Sequence, residues 1–151
     1  MKFKRTHYCG TLRKTMVGEQ VVLCGWVDRW RDHGGIIFID LRDRQGIAQI
    51  VFDPASSPMD EAGILRQEWV VAVKGVVRQR PAGMENPNVA SGEVEVLVDE
   101  LEILNRASQL PFSLHDDVPY SGEVDESLRL TYRYLDLRKA KLQKNIRIRH
   151  E

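Results

Sequence analysis

The sequence has little cysteine and no long apolar run, and both absences limit what kind of protein this is. Only two cysteines, Cys9 and Cys24, occur in 151 residues. They are too far apart for a CxxC metal knuckle, and no His or Cys cluster accompanies them, so we expect reduced thiols and no metal site. No stretch approaches the roughly 20 apolar residues of a membrane-spanning helix, and the charged start MKFKRTHYCG lacks the apolar segment of a secretion signal. The sequence therefore predicts a soluble, cytoplasmic protein without a membrane partner.

The sequence also lacks a net charge, because 22 basic residues balance 22 acidic ones. No overall field therefore draws the protein to nucleic acid, and any such attraction has to be local. Charge is nevertheless segregated: after residue 128, eight lysines and arginines accompany only Asp136 and Glu151.

Catalytic motifs are absent as well. The sequence contains no GxGxxG, P-loop, HExxH or GxSxG pattern. Asp40 and Asp43 in FIDLRDR could form a carboxylate pair, but we expect them to orient Arg42 and Arg44 or to cap the turn. The chain is therefore expected to perform no covalent chemistry.

Five strand-like runs and one helix-like insert define the expected fold. Ser57 is the expected N-cap of the insert, with Pro58 at its first helical position. A mainly β chain with a helix between strands three and four is typical of the OB-fold, a five-stranded Greek-key barrel that binds oligonucleotides on strands two and three and on the loops after strands one and four. A five-stranded sandwich is the competing architecture. The runs span residues 20–31, 35–43, 46–53, 69–80 and 93–104, and the insert spans 58–67.

The strand pattern ends near residue 106. Residues 107–127 are polar and contain prolines, which is typical of a hinge or linker. Helical spacing returns from residue 128 and stops in mid-pattern at residue 151 without a C-cap. We therefore expect a barrel domain at 1–106, a linker at 107–127, and the truncated start of a further domain at 128–151.

Phe38 and Gln49 are the most informative side chains, because each lies on the outer face of an apolar strand. Alternation in GIIFIDLRD points Ile37 and Ile39 inward and Phe38 outward. In IAQIVFD the same alternation points Gln49 and Val51 outward. An exposed aromatic ring beside an amide suits stacking on an unpaired nucleic-acid base and reading its edge.

Basic residues surround this pair in the predicted sheet. Two of them share one face at the end of the first strand, where guanidinium groups can bind phosphates or base edges. Others form a rim on the fourth strand that can follow a phosphate backbone. The first group is Arg29 and Arg31, and the second is Lys74, Arg78 and Arg80. In the adjoining loops, His33 precedes two glycines that permit close approach of a ligand, and Gly83 lies beside the rim.

Four motifs, HYCG, LCGWV, RDHGGIIFIDLRDRQGIAQIVFDP and YRYLDLR, together resemble the start of bacterial aspartyl-tRNA synthetases. The resemblance implies a class II enzyme whose N-terminal barrel binds the tRNA anticodon, followed by a catalytic domain that begins near residue 128. It implies that the whole enzyme ligates aspartate to tRNA with ATP and Mg²⁺ and is a homodimer. For the present chain it implies no cofactor, no catalytic residue, and a weak dimer or monomer.

The resemblance also assigns roles to the site residues. Phe38 resembles the aromatic residue that stacks on the middle anticodon base, while Gln49, Arg29 and Arg31 resemble the polar readers around it. Arg78 resembles the basic residue that accompanies them on the fourth strand. Trp30 stands where the family often has arginine, which removes a charge and offers a further stacking surface.

Two loop residues bear on specificity. His33 and Gly83 resemble the pattern of relaxed enzymes, which place aspartate on the asparagine tRNA as well as on the aspartate tRNA. The two anticodons differ at the third base, so the resemblance implies that these loops tune that choice.

Two further functions fit the same residues. One is a free-standing OB module that binds single-stranded nucleic acid without sequence preference. The other is a barrel in which Phe38 contacts a protein partner.

Overall fold

The computed structural model describes residues 2–55, 58–115 and 124–150. Its strands begin and end within two residues of the predicted positions. The helix predicted at 58–67 is shorter, and its described N-cap is Pro58; the predicted cap Ser57 lies outside the described residues. The elements are β1 (Gln20–His33), β2 (Ile36–Asp43), β3 (Gly46–Phe52), α1 (Met59–Ile64), β4 (Val70–Gln79), β5 (Val94–Asn105), α2 (Glu126–Thr131), α3 (Arg133–Asp136) and α4 (Ala140–His150).

The five strands close into a barrel in the order β1-β2-β3-β5-β4. Neighbouring strands are antiparallel except β3 and β5, which pair in parallel. With α1 between β3 and β4, this is the predicted OB-fold, and the alternative of an open sandwich is wrong. Each of the five described strands is paired on both sides, so the outer face of β2 and β3 is flanked by other strands.

Alternation along β2 and β3 places the core as predicted. Ile37, Ile39 and their inward neighbours on β3 are almost completely buried. Val51 lies opposite the outward-facing Phe38, as predicted, yet it is also fully buried. Its ladder partners are Phe38 on β2 and Leu97 on β5, so larger side chains on both flanking strands cover it.

A turn ahead of β1 packs against the hairpin between β2 and β3. Cys9 and Leu12 are completely buried there, and the Cys9 N–H donates to Asp43 Oδ2 at 2.7 Å. A Cβ on Gly10 would lie 1.9 Å from the Gln45 carbonyl oxygen, so only glycine permits this approach. Asp43 Oδ1 also accepts from the Gln45 N–H at 2.8 Å, which caps the turn as predicted.

Contacts divide the chain into two compact units, Met1–Ser108 and Gln109–Glu151. The second unit contains α2, α3 and α4 and a small cluster in which Phe112, Leu114 and Leu135 are buried. The helical run predicted from residue 128 begins at Glu126 and is broken at Tyr132, whose φ of −103° and ψ of 44° are not helical. None of the described helices is long and apolar enough to cross a membrane.

Candidate nucleic-acid interface

The ladder between β1 and β2 brings the predicted site residues onto one surface. Arg31 lies opposite Phe38, and Arg29 lies opposite Asp40. Residues directly opposite in an antiparallel pair project from the same face. Gln49 lies opposite Asp40 on the other side of β2, one diagonal step from Phe38. The two arginines, the aromatic ring and the amide therefore share the outer face of three adjacent strands.

Phe38 is half-buried rather than fully exposed. Its ring and the His33 imidazole form a T-shaped pair, with centroids 5.8 Å apart and planes inclined by 66°. Edge-to-face packing of this kind holds a ring in place and leaves part of one face for another aromatic group. His33 at the end of β1 therefore supports the Phe38 ring as well as lining the loop beside it.

The β1–β2 loop is as tight as a hairpin turn can be. Gly34 and Gly35 have φ values of 65° and 89°, the positive values that a two-residue turn of this type requires. The Gly35 N–H donates to Asp32 Oδ1 at 3.0 Å. This geometry fixes the exposed His33 next to Phe38 rather than leaving it on a flexible loop.

A buried carboxylate, Glu95 on β5, organises the other half of the surface. Gln49 Nε2 donates to Glu95 Oε2 at 2.8 Å, and Arg78 Nε donates to Glu95 Oε1 at 2.7 Å. The Glu95 side chain is 2% exposed, whereas that of Arg78 is 41% exposed. Glu95 thus lies beneath the surface and orients an amide and a guanidinium group that solvent can reach. The remaining N–H of the Gln49 amide and its oxygen are a donor and an acceptor, the combination with which amides bind base edges in protein–DNA complexes.

Arg31 is held by a second carboxylate. Its Nη2 donates to Asp40 Oδ1 at 2.7 Å. The Arg31 side chain is more exposed than that of Asp40. Burial raises the pKa of Asp40, and the neighbouring Arg31 opposes that rise. Asp40 therefore orients Arg31, whereas the sequence predicted that the two acids of FIDLRDR orient Arg42 and Arg44 or cap the turn.

The three members of the predicted strand-four rim differ in their surroundings. Arg80 is buried, its Nε donates to the Val94 carbonyl at 3.1 Å, and burial lowers its pKa against the opposing effect of Glu95. Lys74 forms an ion pair with Glu100 at 2.8 Å. Arg78 shares the buried Glu95 with Gln49. The prediction was wrong for Arg80, because strand alternation gives the face of a residue but not the burial that the closed barrel imposes.

Gly83 and Trp30 have hydrogen-bond partners away from Phe38, Gln49 and Glu95. Gly83 has a φ of 83° in the exposed loop between β4 and β5, and its N–H donates to Glu85 Oε2 at 2.8 Å. Trp30 lies opposite Ile39 on β1, and its Nε1 donates to the Ala62 carbonyl of α1 at 3.1 Å. Trp30 therefore packs toward the helix and does not extend the stacking surface around Phe38.

Sequence reasoning missed Glu95 and the role of Asp40. Glu95 interrupts an apolar alternation in GEVEVLV, which marks it as an outward acid but not as a buried one. Its contact with Gln49 arises from the parallel pairing of β3 and β5, between residues 46 positions apart. We call the set Arg29, Arg31, Phe38, Asp40, Gln49, Arg78 and Glu95 the outer-face cluster.

An aromatic ring flanked by oriented arginines and an amide on the outer face of strands two and three is the binding surface of OB-folds. Residues 21–104 match the model of the tRNA anti-codon family, described as an OB-fold nucleic acid binding domain, and the chain belongs to that family.

Relatives similar to the chain narrow the class further. The chain is 52% identical over 150 residues to an aspartate–tRNA(Asp/Asn) ligase of Desulfatibacillum aliphaticivorans, with 98% of this chain and 24% of the relative covered. It is 56% identical over 145 residues to the enzyme of the same name in Corynebacterium aurimucosum, with 96% of this chain and 24% of the relative covered. The chain thus spans about a quarter of the length of these curated relatives.

Among solved structures, asparaginyl-tRNA synthetase from Pyrococcus horikoshii, complexed with asparaginyl-adenylate, superposes with a TM-score of 0.72 at 28% identity. The match covers 91% of this chain and 30% of that one. The resemblance to aspartyl-tRNA synthetases found in the sequence motifs is confirmed by these comparisons.

Proposed function

We propose that this chain is the anticodon-binding part of an aspartate–tRNA ligase that acts on the aspartate and asparagine tRNAs. The observation that carries the proposal is the position of Phe38. It lies opposite Arg31 on β1 and one diagonal step from Gln49 on β3. The ring offers a stacking surface for one unpaired base, and the two polar groups lie where they can contact that base and the adjacent phosphates.

Two carboxylates, the buried Glu95 and the half-buried Asp40, support selective rather than general binding. Glu95 and Asp40 fix the orientation of Gln49, Arg78 and Arg31 before any ligand arrives. Hydrogen-bonding groups held in place discriminate strongly, because a wrong base leaves them desolvated and unpaired. A module without sequence preference gains nothing from such orientation, since phosphate contacts and stacking suffice.

The rest of the enzyme's activity belongs to the proposal too. Its full-length form would ligate aspartate to tRNA with ATP and Mg²⁺ in the cytoplasm, as a homodimer, with residues 1–106 as the barrel, 107–127 as a hinge and 128–151 opening the catalytic domain. The described residues offer no group of three or more His, Cys, Asp or Glu side chains that could hold a metal. We assign the ATP and Mg²⁺ sites to the rest of that enzyme, where the resemblance to aspartyl-tRNA synthetases places them.

A titration with RNA stem-loops tests the proposal. The chain is titrated with anticodon stem-loops of the aspartate, asparagine and unrelated tRNAs at one fixed salt concentration. We expect the first two to bind with similar affinity and at least tenfold more tightly than the unrelated ones. Equal affinity for all would favour the module without sequence preference, and no RNA binding at any concentration would favour the protein-interaction barrel.

A further inference from the structure

One extra residue in β1 determines which side chains reach the outer-face cluster. The β1–β2 ladder pairs Val27 with Leu41 and then Arg29 with Asp40, so the backbone register skips Asp28. This is a β-bulge, in which two residues of one strand oppose one residue of its neighbour. Beyond it, every β1 side chain is shifted by one position relative to β2.

The shift decides the face on which the arginines lie. With the bulge, Arg31 pairs with the outward Phe38, and Trp30 pairs with the inward Ile39. Without it, the ladder would continue one residue out of phase, which would place Trp30 opposite Phe38. Because strand side chains alternate with a period of two, Arg29 and Arg31 would then point into the core. The presence of the arginines on the nucleic-acid face therefore depends on the bulge.

Three charged side chains, Asp28, Arg42 and Glu68, form an ion-pair network at the bulge. Asp28 Oδ1 accepts from Arg42 Nη1 on β2, and Arg42 Nη2 donates to Glu68 Oε1 at 2.5 Å. The side chains of Asp28 and Glu68 are 5% and 2% exposed. Arg42 thus joins the bulged residue Asp28 to Glu68, in the segment that leads into β4. Loss of Arg42 would remove a positive charge from two buried carboxylates.

The segment around Glu68 is also tied to β1 through the backbone. The Glu68 N–H donates to the Val27 carbonyl at 2.7 Å, and the Val27 N–H donates to the Trp69 carbonyl at 2.9 Å. Glu68 has a φ of 63°, a left-handed conformation that non-glycine residues rarely adopt unless their surroundings impose it. The conformation directs the Glu68 carboxylate toward Arg42 while its backbone pairs with the residue before the bulge.

We propose that Asp28, Arg42 and Glu68 are positioning residues for nucleic-acid recognition, which fix the β1 bulge and thereby place Arg29 and Arg31 beside Phe38. The inference rests on the proposed function for its binding consequence, but the effect on strand register can be measured without RNA. None of the three residues belongs to the outer-face cluster.

The test compares Arg42→Gln with Arg13→Gln in the 151-residue chain. Both changes remove one guanidinium group, but Arg13 donates to the Gly10 and Leu12 carbonyls ahead of β1 and has no contact with the bulge. Two quantities are measured: affinity for the aspartate anticodon stem-loop, and the ¹⁹F resonance of Trp30 in 5-fluorotryptophan-labelled protein. The Trp30 resonance is assigned with Trp30→Phe.

We expect Arg42→Gln to weaken binding at least tenfold and to shift or split the Trp30 resonance, because the indole loses its fixed contact with Ala62 when the register is no longer held. Arg13→Gln should change affinity less than threefold and leave the resonance in place. A folded Arg42→Gln protein with an unchanged resonance and unchanged affinity would overturn the inference.

Asp28→Asn serves as a second variant if Arg42→Gln does not fold. It keeps the shape of the bulged residue and one acceptor oxygen while removing its charge. A three- to tenfold loss of affinity with partial splitting of the Trp30 resonance would support the inference, and wild-type behaviour in both would contradict it. If wild-type protein binds no RNA, the proposed function fails, and the fluorine spectra still decide whether these residues set the register.

Discussion

Glu95 accepts a hydrogen bond from Gln49 across the parallel junction of β3 and β5, with 2.8 Å between Gln49 Nε2 and Glu95 Oε2. The same carboxylate binds Arg78, so one buried charge orients two groups on the outer face. An acidic side chain at the centre of a nucleic-acid interface costs electrostatic attraction. We interpret it as a source of selectivity rather than of affinity.

Glu95→Gln tests that interpretation. The amide has nearly the same volume, but it loses the charge that holds Arg78 and Gln49 together. We expect affinity for the aspartate stem-loop to fall about tenfold, or about 1.4 kcal/mol, while affinity for unrelated stem-loops holds or rises. Binding is measured by fluorescence anisotropy. Glu100→Gln is the matched control on the same strand, and an equal loss for every RNA would refute a role in selectivity.

Phe38→Leu should remove the stacking platform and keep an apolar side chain in its place. Stacking of a base on an aromatic ring contributes about 1 to 3 kcal/mol, so we expect a 5- to 150-fold loss of affinity for both anticodon stem-loops. Tyr134→Leu is the control, because Tyr134 is a 63% exposed aromatic residue on α3. If the two variants bind equally well, Phe38 does not stack on RNA.

Substitutions of His33 and Gly83 should change the ratio of the affinities for the aspartate and asparagine stem-loops more than the affinity for either one. His33→Gln removes the ring that packs against Phe38, and Gly83→Ala strains a backbone with a φ of 83° at a cost of about 1 kcal/mol. We expect each to alter the ratio of affinities for the aspartate and asparagine stem-loops, with unrelated stem-loops unaffected. Isothermal titration provides the ratio, and a constant ratio in both variants would remove these loops from the specificity question.

The two thiols should be unreactive in the folded protein. Burial raises the pKa of Cys9, with the Asp43 carboxylate adding to the rise, and burial also raises the pKa of Cys24. We expect a disulfide reagent at pH 8 to modify them only as fast as the protein unfolds, and to modify both at once in denaturant. Rapid labelling of a native thiol would contradict this.

The same shifts predict how stability depends on pH. Because the folded-state pKa values lie above the unfolded ones, the folded protein binds more protons, and stability falls as pH rises above about 8.5. Below that pH both thiols are protonated in the folded and unfolded states, so their full contribution to stability is present. Thermal unfolding from pH 7 to 10 measures the effect, and Cys9→Ala should reduce the slope at the alkaline end.

Much of the fold could be predicted from the sequence because the signals are local. Strand alternation gave five strands whose bounds hold within two residues, and it assigned Ile37, Ile39 and Phe38 to their correct faces. Alternation does not give exposure, which depends on neighbours from other strands. Val51 has the outward position that alternation assigns to it, yet side chains on β2 and β5 cover it completely.

The sequence alone determined which residues could read a base: Phe38 and Gln49 on adjacent strands, with arginines nearby, because side-chain direction in a strand repeats every two residues. Only the tertiary structure decided how those residues are held. The parallel pairing that closes the barrel brings Glu95 beneath Gln49, and the bulge at Asp28, tied through Arg42 to Glu68, turns Arg29 and Arg31 outward. Contacts between residues 14 to 46 positions apart depend on register and closure, which no local pattern contains.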